Sequence, residues 1–305
     1  MGSAFLAAVF AVLASQDPGL EASRDEKLKS EFLKKADWIL DYDKAREESK
    51  KTGKPIFALF SRSYAPCPAC HQLEHGPLLA DDFVKFSKDY VLFCHITTMI
   101  PGVKYDELLS EKGGNAFPWI VMMDSSGEII LAHGGERSAE AFARTGTKAK
   151  EYVALQTKAA TGDKAAKIEF VILQVTYYKT TVADAEAALK AVGPLSKEQE
   201  AAWEAAQANA RIREDMRAVK SDEDEAVLGR KYYAQYKEKK LALPGGDMPF
   251  QYVAVRVLEA SFEAKDADVF ESMLKALKER YGKVEEFAPF FTARDKDLEE
   301  LRAKK

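Results

Sequence analysis

The chain has 305 residues, with 45 Lys and Arg against 49 Asp and Glu, for a formal net charge of -4. That length accommodates two domains or one large one with a sizeable core. The even interleaving of acids and bases excludes the concentrated basic face of a nucleic-acid binder, and three cysteines are too few for a disulfide-stapled scaffold.

Ala4 to Ala14 is an unbroken apolar run followed by small residues and Gln16-Asp17-Pro18. It is shorter than the roughly 20 residues a membrane-spanning helix needs, and no other stretch is apolar for longer, so no stable membrane span is expected. The run fits the core of a signal peptide over residues 1–15, with Val12 and Ala14 as the small residues before a cut, although Met1-Gly2-Ser3 contributes no Lys or Arg. That reading predicts export to the periplasm or another secretory space. Residues 16–30 are polar and mixed in charge, and read as a linker.

From Glu31 the pattern turns helical, with Phe32, Ala36, Trp38 and Ile39 as an apolar stripe. A second helix is predicted from Tyr42 to Lys51, stopped by Gly53 and Pro55. Ile56 to Phe60 reads as a buried strand. A short helix interrupted at Gly76-Pro77 comes next, then another over Asp81 to Lys88. Tyr90 to Thr97 is rich in strand formers and predicts a second strand. Tyr105 to Glu111 reads as helix, Phe117 to Met123 as a third strand, and Asp124-Ser125-Ser126-Gly127 as a hairpin turn into a strand over Glu128 to His133. Ser138 is placed to cap a helix running through Phe142. Strands alternating with helices, closed by a hairpin, imply a mixed α/β sheet.

Beyond Lys148 the texture changes to Ala, Glu and Lys, strands disappear, and turn signals such as Gly193-Pro194 and Pro244-Gly245-Gly246 separate helix-length blocks. Ala165 to Tyr178 is apolar almost all round, which predicts a central, buried helix. Ser196 to Val219 and Asp222 to Lys240 look amphipathic, and Phe250 to Phe262 is again strongly apolar. The helical hairpins could stack as a solenoid, although no strict repeat is present. The pairs Tyr177-Tyr178 and Tyr232-Tyr233 read as core or groove packing.

Chemistry concentrates at Cys67-Pro68-Ala69-Cys70-His71, and three readings compete for it. In thiol–disulfide exchange, Cys67 sits at a helix N-cap, where free backbone N–H groups and the helix dipole stabilise a thiolate. Pro68 then occupies the first helical position, where its missing N–H costs nothing, and Cys70 is shielded one turn further in as the resolving thiol. In c-type haem attachment, His71 is the axial ligand and Met99, Met122 or Met123 the second. In a structural metal site, Cys67, Cys70, His71 and His75 are the donors, all within an arc of roughly 140° on one helix. Elsewhere, Cys94 reads as a buried structural thiol in mid-strand, and His95 and His133 as strand residues without an evident partner. Phe117-Pro118 directly before a strand is suited to hold an extended partner, because an X-Pro bond can be cis and forces the preceding residue to be extended.

Residues 38 to 145 resemble the thioredoxin superfamily, closest to its exported thioredoxin-like group. The residues that carry the resemblance are Trp38 with Ala45, the run Gly53 to Ser61, the Cys67 to Cys70 motif, Phe117-Pro118-Trp119-Ile120-Val121, the Asp124 to Gly127 turn and Gly134-Gly135. It implies Cys67 as nucleophile, Cys70 as resolving thiol and Pro118 as a cis-proline that presents substrate together with Phe117. No cofactor is implied beyond a redox-active Cys67–Cys70 disulfide. His71, four residues after Cys67, could tune its pKa. The sequence departs from the family in three places. Pro66 stands where Trp is usual, Phe117 where a smaller residue is common, and Leu59 or Ser61 where thioredoxins bury an Asp. None of these supplies a base, which implies a narrower or slower partner range.

The expected fold is therefore an α/β thioredoxin-like domain, a mixed central sheet flanked by helices, over residues 31–150. An all-α helical domain follows over 151–305. The expected function is thiol–disulfide exchange in the cell envelope or secretory space, acting on protein or peptide thiols and disulfides. The helical domain would serve as a partner-docking or oligomerisation module. A non-catalytic thioredoxin-like scaffold is the alternative.

Overall fold

A computed structural model describes residues 18–241, 243–244 and 247–303. The signal-peptide reading of residues 1–15 lies outside them. The chain divides into two units, one ending at Asp163 and the other beginning at Lys164.

The first unit begins with α1 (Pro18–Leu28) and α2 (Glu31–Lys35). Most of the stretch that reads as a linker is thus helical. The sequence conceals this helix because α1 has no apolar stripe and buries none of its residues. The stripe beyond Glu31 also divides: only Phe32 is buried in a helix, while Trp38 and Ile39 form β1 (Trp38–Ile39), paired with a later strand. Next come α3 (Tyr42–Thr52), β2 (Ile56–Arg62), α4 (Pro68–His75), a 3-10 turn (Pro77–Leu79), α5 (Asp81–Ser87) and β3 (Val91–Thr97). They are followed by α6 (Leu108–Glu111), β4 (Trp119–Met123), β5 (Ile129–Ala132) and α7 (Ala139–Ala160). Asp41 caps α3 by accepting the Lys44 N–H, and Gly53 ends it at φ 70°. That left-handed conformation suits glycine.

The five strands form one sheet in the order β1-β3-β2-β4-β5. β1, β3 and β2 run parallel, while β4 runs antiparallel to β2 and β5 antiparallel to β4. β2 is central, with Leu59 opposite Cys94 on one side and Ile120 on the other. Its unbroken apolar run follows from this position, since a strand covered on both faces has no polar side. On one face, Phe57 lies edge-on to Trp38, Phe83, Phe86 and Phe142. On the other, Tyr42, Phe60, Phe93, Val121 and Met123 pack together.

Helix α7 continues past the 150/151 boundary drawn from composition. Its buried face persists through Tyr152 and Ala159, so the change in texture precedes the end of the unit.

The second unit is helical throughout its described elements: α8 (Lys164–Thr176), α9 (Val182–Val192), α10 (Lys197–Ala218), α11 (Asp222–Lys237), α12 (Asp247–Glu263), α13 (Ala267–Tyr281) and α14 (Ala288–Ala303). Two clusters hold it together. One joins Ile168, Ile172 and Val175 to Ala185, Leu189 and Ala206. The larger gathers Val253, Val257 and Leu258 of α12 with Tyr232, Phe270 and Met273. The central helix is therefore α12. Helix α8 packs Ile168, Ile172 and Val175 against α9 and α10, with Ala166 buried apart from that face. Tyr232 is buried in the core, and Tyr178 lines a groove with Arg213, the two kinds of packing expected. Tyr178 sits at φ 59°, 38 % exposed as a residue, with its ring covered by the Arg213 guanidinium at 3.6 Å.

Candidate functional site

The chain leaves the central strand β2 at Arg62, crosses a short loop and enters α4 at Pro68. Cys67 is the N-cap of α4, and its sulfur accepts the Cys70 N–H at 3.2 Å. Pro68 occupies the first turn without leaving a donor unpaired. Cys67 and Cys70 are joined as a disulfide, with Cα atoms 5.2 Å apart. Their exposures differ: Cys67 is half-buried, whereas Cys70 is only 1 % exposed.

The Phe117-Pro118 peptide bond is cis, as anticipated at that position. Arg62 ties it to the approach to Cys67. Its guanidinium donates to the Pro66 carbonyl and lies 5.8 Å from both the Tyr64 and Phe117 ring centres. Tyr64 and Phe117 themselves meet edge-on at 6.3 Å. One cation thus gathers the loop before the disulfide and the residue before the proline. Beside them, a groove of about 750 Å³ is lined by Cys67, Tyr64 and His71 together with Ser23, Glu26 and Lys27 of the N-terminal helix.

His71 lies on the exposed side of α4. Its ring stacks on His75 at 3.9 Å, and its carbonyl pairs with His75 Nδ1 at 3.0 Å. The metal reading needs Cys67, Cys70, His71 and His75 to converge. Among the described residues, no three His, Cys, Asp or Glu groups are placed to hold an ion. The haem reading loses two of its second ligands: Met122 and Met123 are fully buried in β4. Met99 stands 63 % exposed.

The sequence reading misses a buried acid. Ser61 does occupy the β2 position considered for it, yet its hydroxyl donates at 2.6 Å to Glu74 Oε1 of α4. Glu74 is 3 % exposed, and its other oxygen accepts from Lys27 Nζ of α1 at 2.6 Å. The acid is therefore present but has moved from the strand to the helix. The spacing Cys70, Leu73, Glu74 on one helix face carried this signal. Its partner lies 47 residues away, in a segment that reads as linker.

Burial, followed by the negative charge of Glu74, pushes the Cys94 thiol well above its ordinary range, so Cys94 is a buried and inert sulfur. His95 pairs with Thr97 Oγ1 at 3.1 Å. His133 pairs with Thr145 Oγ1 and the Glu136 carbonyl, both at 2.8 Å. Both histidines thus have partners that the sequence reading did not find, and burial lowers both pKa values.

Sheet order, cis-proline and helix-capping disulfide together define a thioredoxin-like domain. Residues 42–150 match the family described as a thioredoxin-like domain. Among solved structures, the chain is similar to a DsbH oxidoreductase at 22 % identity, over 38 % of this chain and 85 % of that one, with a TM-score of 0.33. No curated protein matches the chain. Among the described residues, no helix is long and apolar enough to cross a membrane.

Proposed function

We propose that the chain is a thiol–disulfide oxidoreductase exported to the cell envelope or secretory space. Cys67 is the nucleophile, Cys70 the resolving thiol, and Phe117 with Pro118 presents the partner's backbone. The single observation that carries this reading is the asymmetry of the pair: a partly exposed cysteine at the helix N-cap bonded to one that is 1 % exposed. A substrate can reach the first sulfur and not the second. The N-cap also favours the anionic form of the accessible one, because free N–H groups and the helix dipole both point at it.

When the reduced protein attacks a substrate disulfide, the Cys67 thiolate forms the mixed disulfide and expels one substrate thiolate. Cys70 then attacks Cys67 Sγ, which closes the intramolecular disulfide and releases the second thiolate. Two electrons pass from the protein dithiol to the substrate. The reverse sequence oxidises substrates, and the reduction potential of the pair sets the direction. The helical unit acts as a docking module for the partner.

The lack of an acid on the preceding strand slightly favours the scaffold alternative, and the buried Glu74 of α4, bonded to Ser61, supports the catalytic reading against it. Turnover of insulin or a dithiol peptide by wild type and by Cys67→Ser tests the proposal. Wild type is expected to turn over and the variant to fall to background; equal rates would overturn it.

A further inference from the structure

The groove beside the disulfide has two walls of different origin. One is the loop from Arg62 to Cys67 with the start of α4, and the other is α1, through Ala22, Ser23 and Glu26. Helix α1 precedes residues 42–150, so this second wall is supplied from outside the part of the chain that matches the thioredoxin-like family. It buries none of its residues, and Lys27 Nζ fastens it to the buried Glu74 of α4 at 2.6 Å. At about 750 Å³ the groove is as roomy as a small-ligand site, roughly 300–1,000 Å³, and admits a few residues of extended peptide.

The fixed charges lining the groove nearly cancel. Lys27 pairs with Glu74 at 2.6 Å and Lys29 with Glu26 at 3.7 Å. Arg62 is left over: among the described residues, no carboxylate lies within ion-pair reach of it. Its Nη2 donates to the Pro66 carbonyl, its Nε–H is buried without a partner, and the Tyr64 and Phe117 ring centres lie 5.8 Å away. A half-buried guanidinium with a donor to spare costs free energy until an acceptor arrives. A carboxylate satisfies it best, because it takes Arg in a two-pronged, charge-assisted bond. The bonded carbonyl belongs to the residue before Cys67, which puts that carboxylate within a residue or two of the partner's reacting cysteine.

We propose that the groove between α1 and Cys67 binds the disulfide-bearing segment of the partner, and that Arg62 selects segments with Asp or Glu beside the reacting cysteine. This rests on the thiol-exchange reading above and names its class of substrate: an acidic, locally extended polypeptide. The bonds that form and break are those already described. Arg62 attracts an acidic segment and, by like charge, disfavours a basic one.

The test offers the reduced protein three disulfides. The first is a short peptide with Asp on both sides of its single cysteine, joined to a second copy of itself. The second has Lys in place of Asp, and the third is hydroxyethyl disulfide, which is small and uncharged. Rates of protein oxidation are read by acid quench and chromatography, and each is divided by the rate of the same disulfide with dithiothreitol, which removes intrinsic reactivity. After division, the acidic peptide should react about tenfold faster than the basic one, the worth of one charge-assisted bond. The ratio should shrink at about 0.5 M salt, where partly exposed charges are screened. Arg62→Gln should bring it to about one, and Arg62→Lys should keep part of it. Any influence of Arg62 on Cys67 itself is common to both peptides and cancels. Ser23→Trp, at an exposed position whose hydroxyl bonds to Gly19 of its own helix, should slow both peptides more than it slows hydroxyethyl disulfide.

A ratio near one in the wild type, a comparison that needs no variant to fold, would overturn the proposal. So would a ratio unmoved in folded Arg62→Gln. Ser23→Trp slowing all three disulfides alike, or none, would overturn the part given to α1. Failure of the wild type to react with any of the three would instead overturn the thiol-exchange reading itself, and this proposal with it.

Discussion

Both units bury large apolar side chains, Phe57 and Phe142 in the sheet unit and Phe270 and Leu258 in the helical one. They differ in what else they bury. Among the described residues, Ser61, Glu74, His95 and Asp124 are buried polar groups of the sheet unit, while Ser261, bonded to its own helix at Leu258, is the helical unit's counterpart. Every histidine and every cysteine of the sequence also lies in the sheet unit, between Cys67 and His133. Because burying polar groups costs free energy unless each finds a partner, the contrast marks where chemistry resides and where packing alone decides.

The strongest way to break this comparison is to open a cavity in each core. Phe57→Ala and Phe270→Ala should each cost about 3–5 kcal/mol. Calorimetry should show two transitions, with Phe57→Ala lowering one and Phe270→Ala the other, and dithiol exchange should survive in Phe270→Ala at a temperature below both. One transition that moves in both variants would merge the units into a single cooperative body.

The difference between the units also explains how much of the molecule could be read from its residues. Strands Ile56 to Phe60 and Tyr90 to Thr97, the cap at Ser138 and the Cys67 N-cap all rest on short-range signals, and the sheet unit carries them where expected. What escaped was long-range. The two-residue strand at Trp38 exists only because Leu92 lies beside it, and α1 buries none of its residues. Glu74 looked like an ordinary helix charge until Ser61 and Lys27 closed around it. Telling α8 from α12 failed for the same reason: both are apolar, and only their neighbours decide which is central.

Two glycines sharpen the picture of the sheet unit at a smaller scale. At Gly127, φ is 86° and an added Cβ would lie 1.9 Å from the Tyr42 hydroxyl; at Gly146 it would lie 2.2 Å from that of Tyr90. Gly127→Ala and Gly146→Ala should each lower the sheet unit's stability by about 1–3 kcal/mol, read by denaturant unfolding, and leave the helical transition in place.

Titration should separate the units by up to about 1.4 kcal/mol per pH unit for each group involved. His95 and His133 are held neutral by burial, so their folded pKa values fall below the unfolded value. The unfolded chain then binds more protons below about pH 6.5, and the sheet unit loses stability as pH falls through that range. Cys94 has a raised folded pKa, so its contribution is complete below about pH 8.5 and erodes as pH rises above it. Thermal unfolding at pH 5, 7 and 9 should move the sheet transition downward at both ends. An equal shift of the helical transition would contradict the assignment.

The smallest effect belongs to the helical unit. Ser196 caps α10 with a capping box through Gln199, and Ser196→Ala should cost about 1 kcal/mol there, with the sheet transition unmoved.

The turn at Asp124 bears on how the protein can be engineered. One carboxylate accepts from the Ser126 backbone and hydroxyl, from the Glu128 N–H and, through its other oxygen, from Gln156 of α7. Hairpin tips ordinarily tolerate inserted tags and new chain ends because few bonds hold them. This one is fastened to a helix, so a reporter placed at Ser125 would unfasten α7. The exposed turn at Pro101 and Gly102 is the better place to open the chain.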